Sequence, residues 1–164
     1  MNRTAFVGAL LLLTTLSPAW AQEIVRRPMG HFPIASSIRV PAGAEIVFLS
    51  GMLADVADPA APAGSVERYG DTQTQTASVL AKIARELDVS GLSLADVVKM
   101  NVFMVGDPAK GGAMDFDGLM KAYERRFGPA TEGNLPTRTT VQVAGLPMPG
   151  ALVEIEIIAA RAER

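Results

Sequence analysis

The sequence contains no cysteine, and its 164 residues include only one histidine and one tryptophan. Without cysteine there is neither a thiolate nucleophile nor a disulfide, so stability must come from packing alone. The single histidine, His31, excludes mechanisms that need two imidazoles and argues against a histidine-based zinc site. No second metal-type ligand lies at a useful spacing from it, so we expect no metal.

The chain also lacks a strong charge of either sign. Its formal net charge is -2 at pH 7, and no block of like charges interrupts the sequence. Such a balance does not attract the phosphate backbone of nucleic acids. Aromatic residues make up only 5% of the chain, which is little for a surface on which bases stack. We therefore expect no nucleic-acid partner.

A continuous apolar run occurs near the N-terminus. Arg3 precedes it, and a small-x-small triplet from Ala19 to Ala21 follows it, which is the arrangement of a secretory signal peptide. The run is shorter than the about 20 residues that a membrane-spanning helix needs. We predict a signal peptide over residues 1–21, export to the periplasm, no membrane association after cleavage, and a single domain over residues 22–164.

The first half of this domain predicts β-structure. We expect residues 23–33 to form an irregular arm. Residues 38–40 and 45–50 are β-rich and flank a Gly-containing turn, so they are predicted to pair as a hairpin. Residues 46–49 are apolar at every position, which favours a strand buried in the centre of a sheet.

The remainder predicts two helices and three further strands. Asp71 is expected to cap a helix whose stripe Val79, Ile83 and Leu87 faces the core. A second helix is expected from about Asp115, with an aromatic stripe that we assign to the core, and it ends at Gly128. The other strands are predicted at residues 97–105, 138–143 and 152–160.

The resulting element order is β-β-α-β-α-β-β. Two helices cannot cover both faces of a sheet of about five or six strands, so we predict an α+β domain with both helices on one face. The opposite face carries apolar positions that need another partner. Oligomerisation is the simplest way to cover them.

Charged residues on the last two strands could carry chemistry. Arg138 begins a strand after Pro136, and its planar, permanently charged guanidinium suits a carboxylate, although such arginines are usually surface residues. Glu154 and Glu156 alternate with aliphatic residues and so share one face, which is ordinarily solvated. If the two strands form a hairpin, Arg138 and Glu154 could meet at one cavity as a charge binder and a water-orienting base.

Several stretches together resemble one known family. They are Asp96–Phe103, Ala122–Gly128, Pro136–Val143, Leu146–Pro147 and Val153–Glu156, with Ser50–Gly51 and Gly91–Leu94 also matching. From about Ser37 to Ala160 the chain is similar to the Rid (YjgF) family of reactive-intermediate deaminases. This resemblance implies a chorismate-mutase-like α+β fold, with two helices packed on one face of a mixed sheet. It also implies a homotrimer with ligand clefts between subunits.

The resemblance further implies an activity and a site. The activity is hydrolysis of small 2-imino acids, the tautomers of enamines, to 2-oxo acids and ammonia, with 2-iminobutanoate and 2-iminopropanoate as examples and no cofactor. By similarity, Arg138 binds the substrate carboxylate and Glu154 orients or activates the attacking water. Thr140 contacts the ligand through its backbone, and Ser50 and Gly51 form a neighbouring wall.

Two positions depart from the family pattern. Ser36 stands where a tyrosine is common in the first strand, and Met120 stands where an asparagine is common in the second helix. The lost polar contacts imply either an apolar substrate tail or a changed or absent activity. An imine deaminase and a non-catalytic trimeric protein that binds small carboxylates are therefore both open. Endoribonuclease activity is disfavoured by the acidic balance, the few aromatic residues and the lone His31.

Overall fold

The computed structural model describes residues 23–128 and 134–163. The predicted signal peptide lies outside these ranges. In chain order the elements are β1 (Val25–Met29), β2 (Phe32–Arg39), β3 (Glu45–Leu53), α1 (Thr72–Val89), β4 (Val97–Met104), α2 (Phe116–Phe127), β5 (Thr137–Gln142) and β6 (Val153–Arg161). Within the described ranges, no helix has both the length and the apolar character that crossing a membrane requires.

Two sheets form from these strands. β1 and β2 make a separate antiparallel hairpin, and the other four strands form one sheet in the order β3-β6-β4-β5. β4 and β5 are parallel, whereas β6 is antiparallel to both β3 and β4. Both helices pack with this sheet around a single hydrophobic core. The predicted α+β fold, a mixed sheet with two helices on one face, is confirmed.

Both helices begin where their capping residues predict. The Asp71 side chain accepts a hydrogen bond from the Thr74 amide at 2.8 Å, and the Asp115 side chain accepts one from the Gly118 amide at 3.2 Å. Each bond satisfies an amide that the first helical turn leaves without a partner. The predicted α1 stripe is fully buried.

Side-chain alternation divides the sheet into two faces. On β4, Met100 and Val102 are buried beneath the helices, whereas Lys99 and Asn101 point to the other side and are only partly buried. We call this other side the open face. By strand register it is formed by Ile46, Phe48, Lys99, Asn101, Phe103, Thr139, Val141, Glu154, Glu156 and Ile158. Phe48 is 73% exposed there, and Ile46 is 50% exposed.

The predicted arrangement of the first strands is wrong. Residues 23–33 contain β1, which pairs with β2, and β3 pairs with β6 instead of with β2. β3 is an edge strand of the sheet, not a central one. An apolar run does not distinguish burial in a core from exposure on an uncovered face, because both place apolar residues on the two sides of a strand.

A buried glutamine ties α1 to the start of β6. Gln75 is fully buried, and its Nε2 donates to the carbonyl oxygens of Gly70 at 2.9 Å and Gly150 at 3.1 Å. Its Oε1 accepts from the Leu152 amide at 2.8 Å. Since Leu152 leads directly into the strand that carries Glu154, this link fixes the start of that strand against α1.

Gln75→Leu is expected to lower the free energy of unfolding by about 2–4 kcal/mol, because two carbonyls and one amide lose their buried partner. Urea denaturation followed by circular dichroism measures the difference. Gln73→Leu, at a half-buried position of the same helix, is the control and should change stability by no more than about 0.5 kcal/mol. Equal losses in the two variants would contradict the assigned role of Gln75.

Candidate functional site

Arg138 lies on β5 and points toward α2. Its Cζ is 4.3 Å from the centre of the Tyr123 ring and 5.7 Å from the centre of the Phe116 ring. Burial lowers the pKa of Arg138, and the neighbouring Tyr123 and Glu124 act in the opposite direction. The guanidinium is thus held against two aromatic rings, in the partly desolvated surroundings where a cation and an aromatic face attract most strongly.

Two polar atoms on this side of β5 are buried without a hydrogen-bond partner among the described residues. They are Nη1 of Arg138 and Oγ1 of Thr140. Both belong to alternate residues of one strand, so they share a face. A buried donor without a partner costs roughly 1–3 kcal/mol, which an acceptor such as a carboxylate would offset. The pair therefore has the chemistry of an anion-binding site.

The backbone of β5 adds a further donor. The Val143 amide donates to the Met104 carbonyl on β4 at 2.8 Å, and amides of successive strand residues point in opposite directions. The Thr140 amide consequently points away from β4, toward the edge of the sheet. At the start of β5 the Ala35 amide donates to the Pro136 carbonyl at 2.9 Å, so β2 reaches this edge at that point.

Glu154 lies on the open face beside Gly51. The β3–β6 ladder has an irregularity between Leu49 and Met52, and Ser50 and Gly51 occupy it. A Cβ atom placed on residue 51 would overlap Oε1 of Glu154 and lie 2.9 Å from its Cδ. The structure therefore brings Gly51 and Glu154 together, and only the absence of a side chain at residue 51 leaves room for the carboxylate.

The rest of the open face carries several polar side chains that were not predicted to belong to the site. Asn101 Nδ2 donates to Glu156 Oε1 at 2.7 Å, and Lys99 Nζ donates to Thr139 Oγ1 at 3.1 Å. A cavity of about 240 Å³ is lined by these Lys99, Asn101 and Glu156 side chains together with Ser50. The alternation of buried and partly buried residues on β4 could have predicted this, because it puts Lys99 and Asn101 on the face opposite its buried residues.

The expected hairpin between the strands of Arg138 and Glu154 does not form. β4 lies between β5 and β6, and Arg138 is paired with Met100 whereas Glu154 is paired with Phe103. Since neighbours in register share a face, and residues 100 and 103 face opposite sides, Arg138 and Glu154 lie on opposite faces of the sheet. A single chain therefore does not place them at one cavity. The cause is the 143–152 connection, which crosses over β4 instead of turning back on β5.

Gly51→Ala is expected to destabilise the protein by about 1 kcal/mol or less, because the added methyl group displaces the Glu154 carboxylate, which is the far end of a flexible side chain. In the Glu154→Ala background the same change should cost much less, since the overlapping atoms are gone. Chemical denaturation of the four proteins gives this coupling free energy. Gly145→Ala is the matched control, because nothing lies within 4 Å of a Cβ at residue 145. Purely additive effects of the two changes would show that the overlap is not the cause.

Comparisons with known proteins agree with this architecture. Residues 36–161 match the family model described as Endoribonuclease L-PSP. A RutC family protein of Pyrococcus horikoshii is 31% identical over 137 residues, which cover 84% of this chain and 92% of that protein. TdcF of Escherichia coli K12, whose name provisionally describes it as a reactive intermediate deaminase, is 34% identical over 116 residues, or 71% of this chain and 79% of that protein.

A solved structure is similar over nearly the whole domain. The crystal structure of E. coli TdcF with bound serine has a TM-score of 0.55 and 31% sequence identity to this chain. The match covers 84% of this chain and 94% of that one. The ligand in that structure is a small molecule that carries a carboxylate.

Proposed function

Because the chain belongs to the endoribonuclease L-PSP family, also named YjgF or Rid, we propose that it hydrolyses small 2-imino acids to 2-oxo acids and ammonia. The observation that carries this proposal is the environment of Arg138. Its guanidinium is flanked by Tyr123 and Phe116, and its Nη1 is buried without a partner on the same face as Thr140 Oγ1. A substrate carboxylate supplies the acceptor that both groups lack.

The proposed chemistry needs a fixed substrate and one base. Arg138 and Thr140 hold the carboxylate, which places the adjacent C=N carbon at a set distance from the sheet. Glu154 takes a proton from water as the oxygen adds to that carbon and then returns it to the nitrogen. The tetrahedral adduct expels ammonia as its hydroxyl group loses a proton, which gives the 2-oxo acid. An imine already hydrolyses unaided, so orientation and modest proton transfer are enough to accelerate it.

The opposite placement of Arg138 and Glu154 leads us to assign the site to two subunits. In this proposal the β5 edge of one chain, with Arg138, meets the open face of a second chain, with Glu154. Three chains related by a closed rotation would use both surfaces on every subunit. The exposed Ile46 and Phe48 on the open face support this assembly, because uncovered apolar patches commonly mark subunit contacts.

A second candidate function is binding of a small carboxylate without catalysis. Ser36 Oγ donates to the Arg27 carbonyl at 3.1 Å, and Met120 packs against the hydrophobic core. Neither residue contributes a free polar group like those of the tyrosine and asparagine that the family commonly has at these positions. This observation favours a site that keeps the anion-binding arginine and has fewer groups to handle the imine nitrogen.

An imine-decay assay distinguishes the two functions. An amino-acid oxidase generates 2-iminobutanoate in place, and its disappearance is followed with and without the protein lacking residues 1–21. The proposal predicts faster decay with the protein present. Unchanged decay, together with calorimetric binding of 2-oxobutanoate, would establish the binding function. If the protein neither accelerates imine decay nor binds 2-oxobutanoate, both functions are overturned.

A further inference from the structure

We propose that Tyr123 is a positioning residue that aims the Arg138 guanidinium at the ligand carboxylate. The inference rests on the proposed function for the identity of that ligand. Its structural basis is independent of the reaction, because it comes from the contacts of the tyrosine ring with three elements of the fold. The sequence pattern by itself assigned this ring only to the core.

Two contacts hold the buried Tyr123 ring in one place. The residue is fully buried, and its ring stacks on Phe127 with centres 4.9 Å apart and planes inclined by 22°. Its hydroxyl donates to the Pro33 carbonyl on β2 at 2.8 Å. The ring therefore cannot turn away, and the face that it presents to Arg138 is fixed.

The ring covers one face of the guanidinium and limits the directions of its donors. Arg138 Cζ lies 4.3 Å from the ring centre, within the range of a cation–π contact, which is strongest where water is excluded. Burial also raises the pKa of Tyr123, so the side chain stays a neutral phenol and keeps its hydroxyl proton for Pro33. Tyr123 offers Arg138 a neutral ring face and a hydroxyl oxygen that accepts a side-chain hydrogen bond from the guanidinium, and it is not a competing anion.

Arg138 needs such a surface because another acceptor is near. Glu124 follows Tyr123 on α2, and its charge acts on Arg138. A long, flexible arginine at a sheet edge would gain by turning toward this exposed carboxylate. Stacking on Tyr123 opposes that turn and keeps the guanidinium on the face of β5 that also carries Thr140 Oγ1. The ligand then meets a guanidinium that is already oriented, which lowers the entropic cost of binding.

The backbone around this group closes the arrangement. Tyr123 is bonded to Pro33 on β2, and Ala35 of the same strand donates to Pro136, which lies just before Arg138. These two hydrogen bonds connect α2 to β2 and β2 to the start of β5, next to Arg138. The position of Arg138 is a property of this closed set of contacts and not of β5 alone.

Nuclear magnetic resonance of arginine side chains tests the geometry without any reaction. In the wild-type protein the guanidinium protons of Arg138, assigned by their loss in Arg138→Lys, should be shifted upfield by the ring current and exchange slowly with water. Tyr123→Phe should keep the shift, because the ring remains. Tyr123→Leu should abolish it, whereas Leu87→Ala, which removes a fully buried side chain of α1, should retain it. An unshifted Arg138 in the wild type overturns the inference.

Kinetics then test the consequence. With 2-iminobutanoate, Tyr123→Leu should raise KM by about tenfold and change kcat by less than about threefold, since the arginine remains but is no longer held. Leu87→Ala, at a fully buried position of α1, should lower Tm comparably and leave KM unchanged. If the protein binds 2-oxobutanoate without hydrolysing imines, the same tenfold difference is expected in Kd, which separates failure of this inference from failure of the proposed reaction. Equal KM or Kd in Tyr123→Leu and Leu87→Ala contradicts the positioning role.

Discussion

Arg138→Ala is expected to lower kcat/KM for 2-iminobutanoate by at least about a hundredfold, and to weaken binding of 2-oxobutanoate by a similar factor. The guanidinium is partly desolvated against Tyr123 and Phe116, so its attraction for a carboxylate is much less screened than that of a surface arginine. Removing it leaves the ligand charge unpaired in the site. Imine decay and calorimetry with the same protein preparations measure both quantities.

Two variants serve as controls for this result. Arg125→Ala removes an exposed arginine from the last turn of α2, the helix that carries Tyr123 and Phe116. This variant should keep kcat/KM within about twofold of the wild type, because surface charges contribute little. Arg138→Lys keeps the charge but loses the planar pair of donors, so we expect an intermediate loss. If Arg138→Ala has the kcat/KM and Kd of the wild type, Arg138 is not part of the site.

Glu154→Gln is expected to lower kcat for imine hydrolysis by about a hundredfold while changing KM by less than about threefold. The amide keeps the size of the side chain beside Gly51 but can no longer accept a proton from water. Arg138 is untouched, so binding of the carboxylate persists. This split between kcat and KM is the opposite of the one expected for Tyr123→Leu. The same kinetic traces, fitted over a range of imine concentrations, give both constants.

Mixing the two defective proteins tests whether one site draws on two chains. Subunits with Arg138→Ala retain Glu154, and subunits with Glu154→Gln retain Arg138, so random co-assembly of equal amounts in a closed ring should restore about one quarter of the wild-type rate. The restored sites take each native residue from a different chain. No recovery, in complexes whose mixed composition is confirmed by mass spectrometry, would mean that the two residues act within one chain or not together.

Local sequence signals predicted both helices and the later strands, although not β1, because these signals depend on nearby residues. Asp71 and Asp115 mark the helix starts by capping, and the alternation on β4 correctly separates Met100 from Asn101. These features act over one turn or one pair of residues. They hold regardless of how distant strands are arranged, since the same atoms satisfy the cap or the pleat in any topology.

The pairing of strands was not predictable in the same way. β3 and β5 are separated along the chain from their partners β6 and β4, and the apolar run at residues 46–49 is compatible with an edge or a centre. The proximity of β5 and β6 in sequence suggested a hairpin, but β4 inserts between them. The packing of the two helices on one face of the sheet decides which strands pair. No local sequence pattern predicts this packing.

The aromatic stripe of α2 illustrates the same limit within the site. Its spacing indicated a core helix, and Tyr123 and Phe127 are indeed buried. The spacing could not show that the face of one buried ring lies under the guanidinium of Arg138. The two residues are brought together only when α2 packs across the β4–β5 edge.

The sequence by itself determined the composition, both helices, the strands after residue 96 and the fold class, because each depends on side-chain chemistry or short-range periodicity. The tertiary structure decided the rest. It placed Arg138 and Glu154 on opposite faces of one sheet, set Gly51 against the carboxylate, and put Tyr123 beneath the arginine. These relations arise from register and crossover among strands distant in the chain, where the gain in buried area selects one topology among several that the same local signals allow.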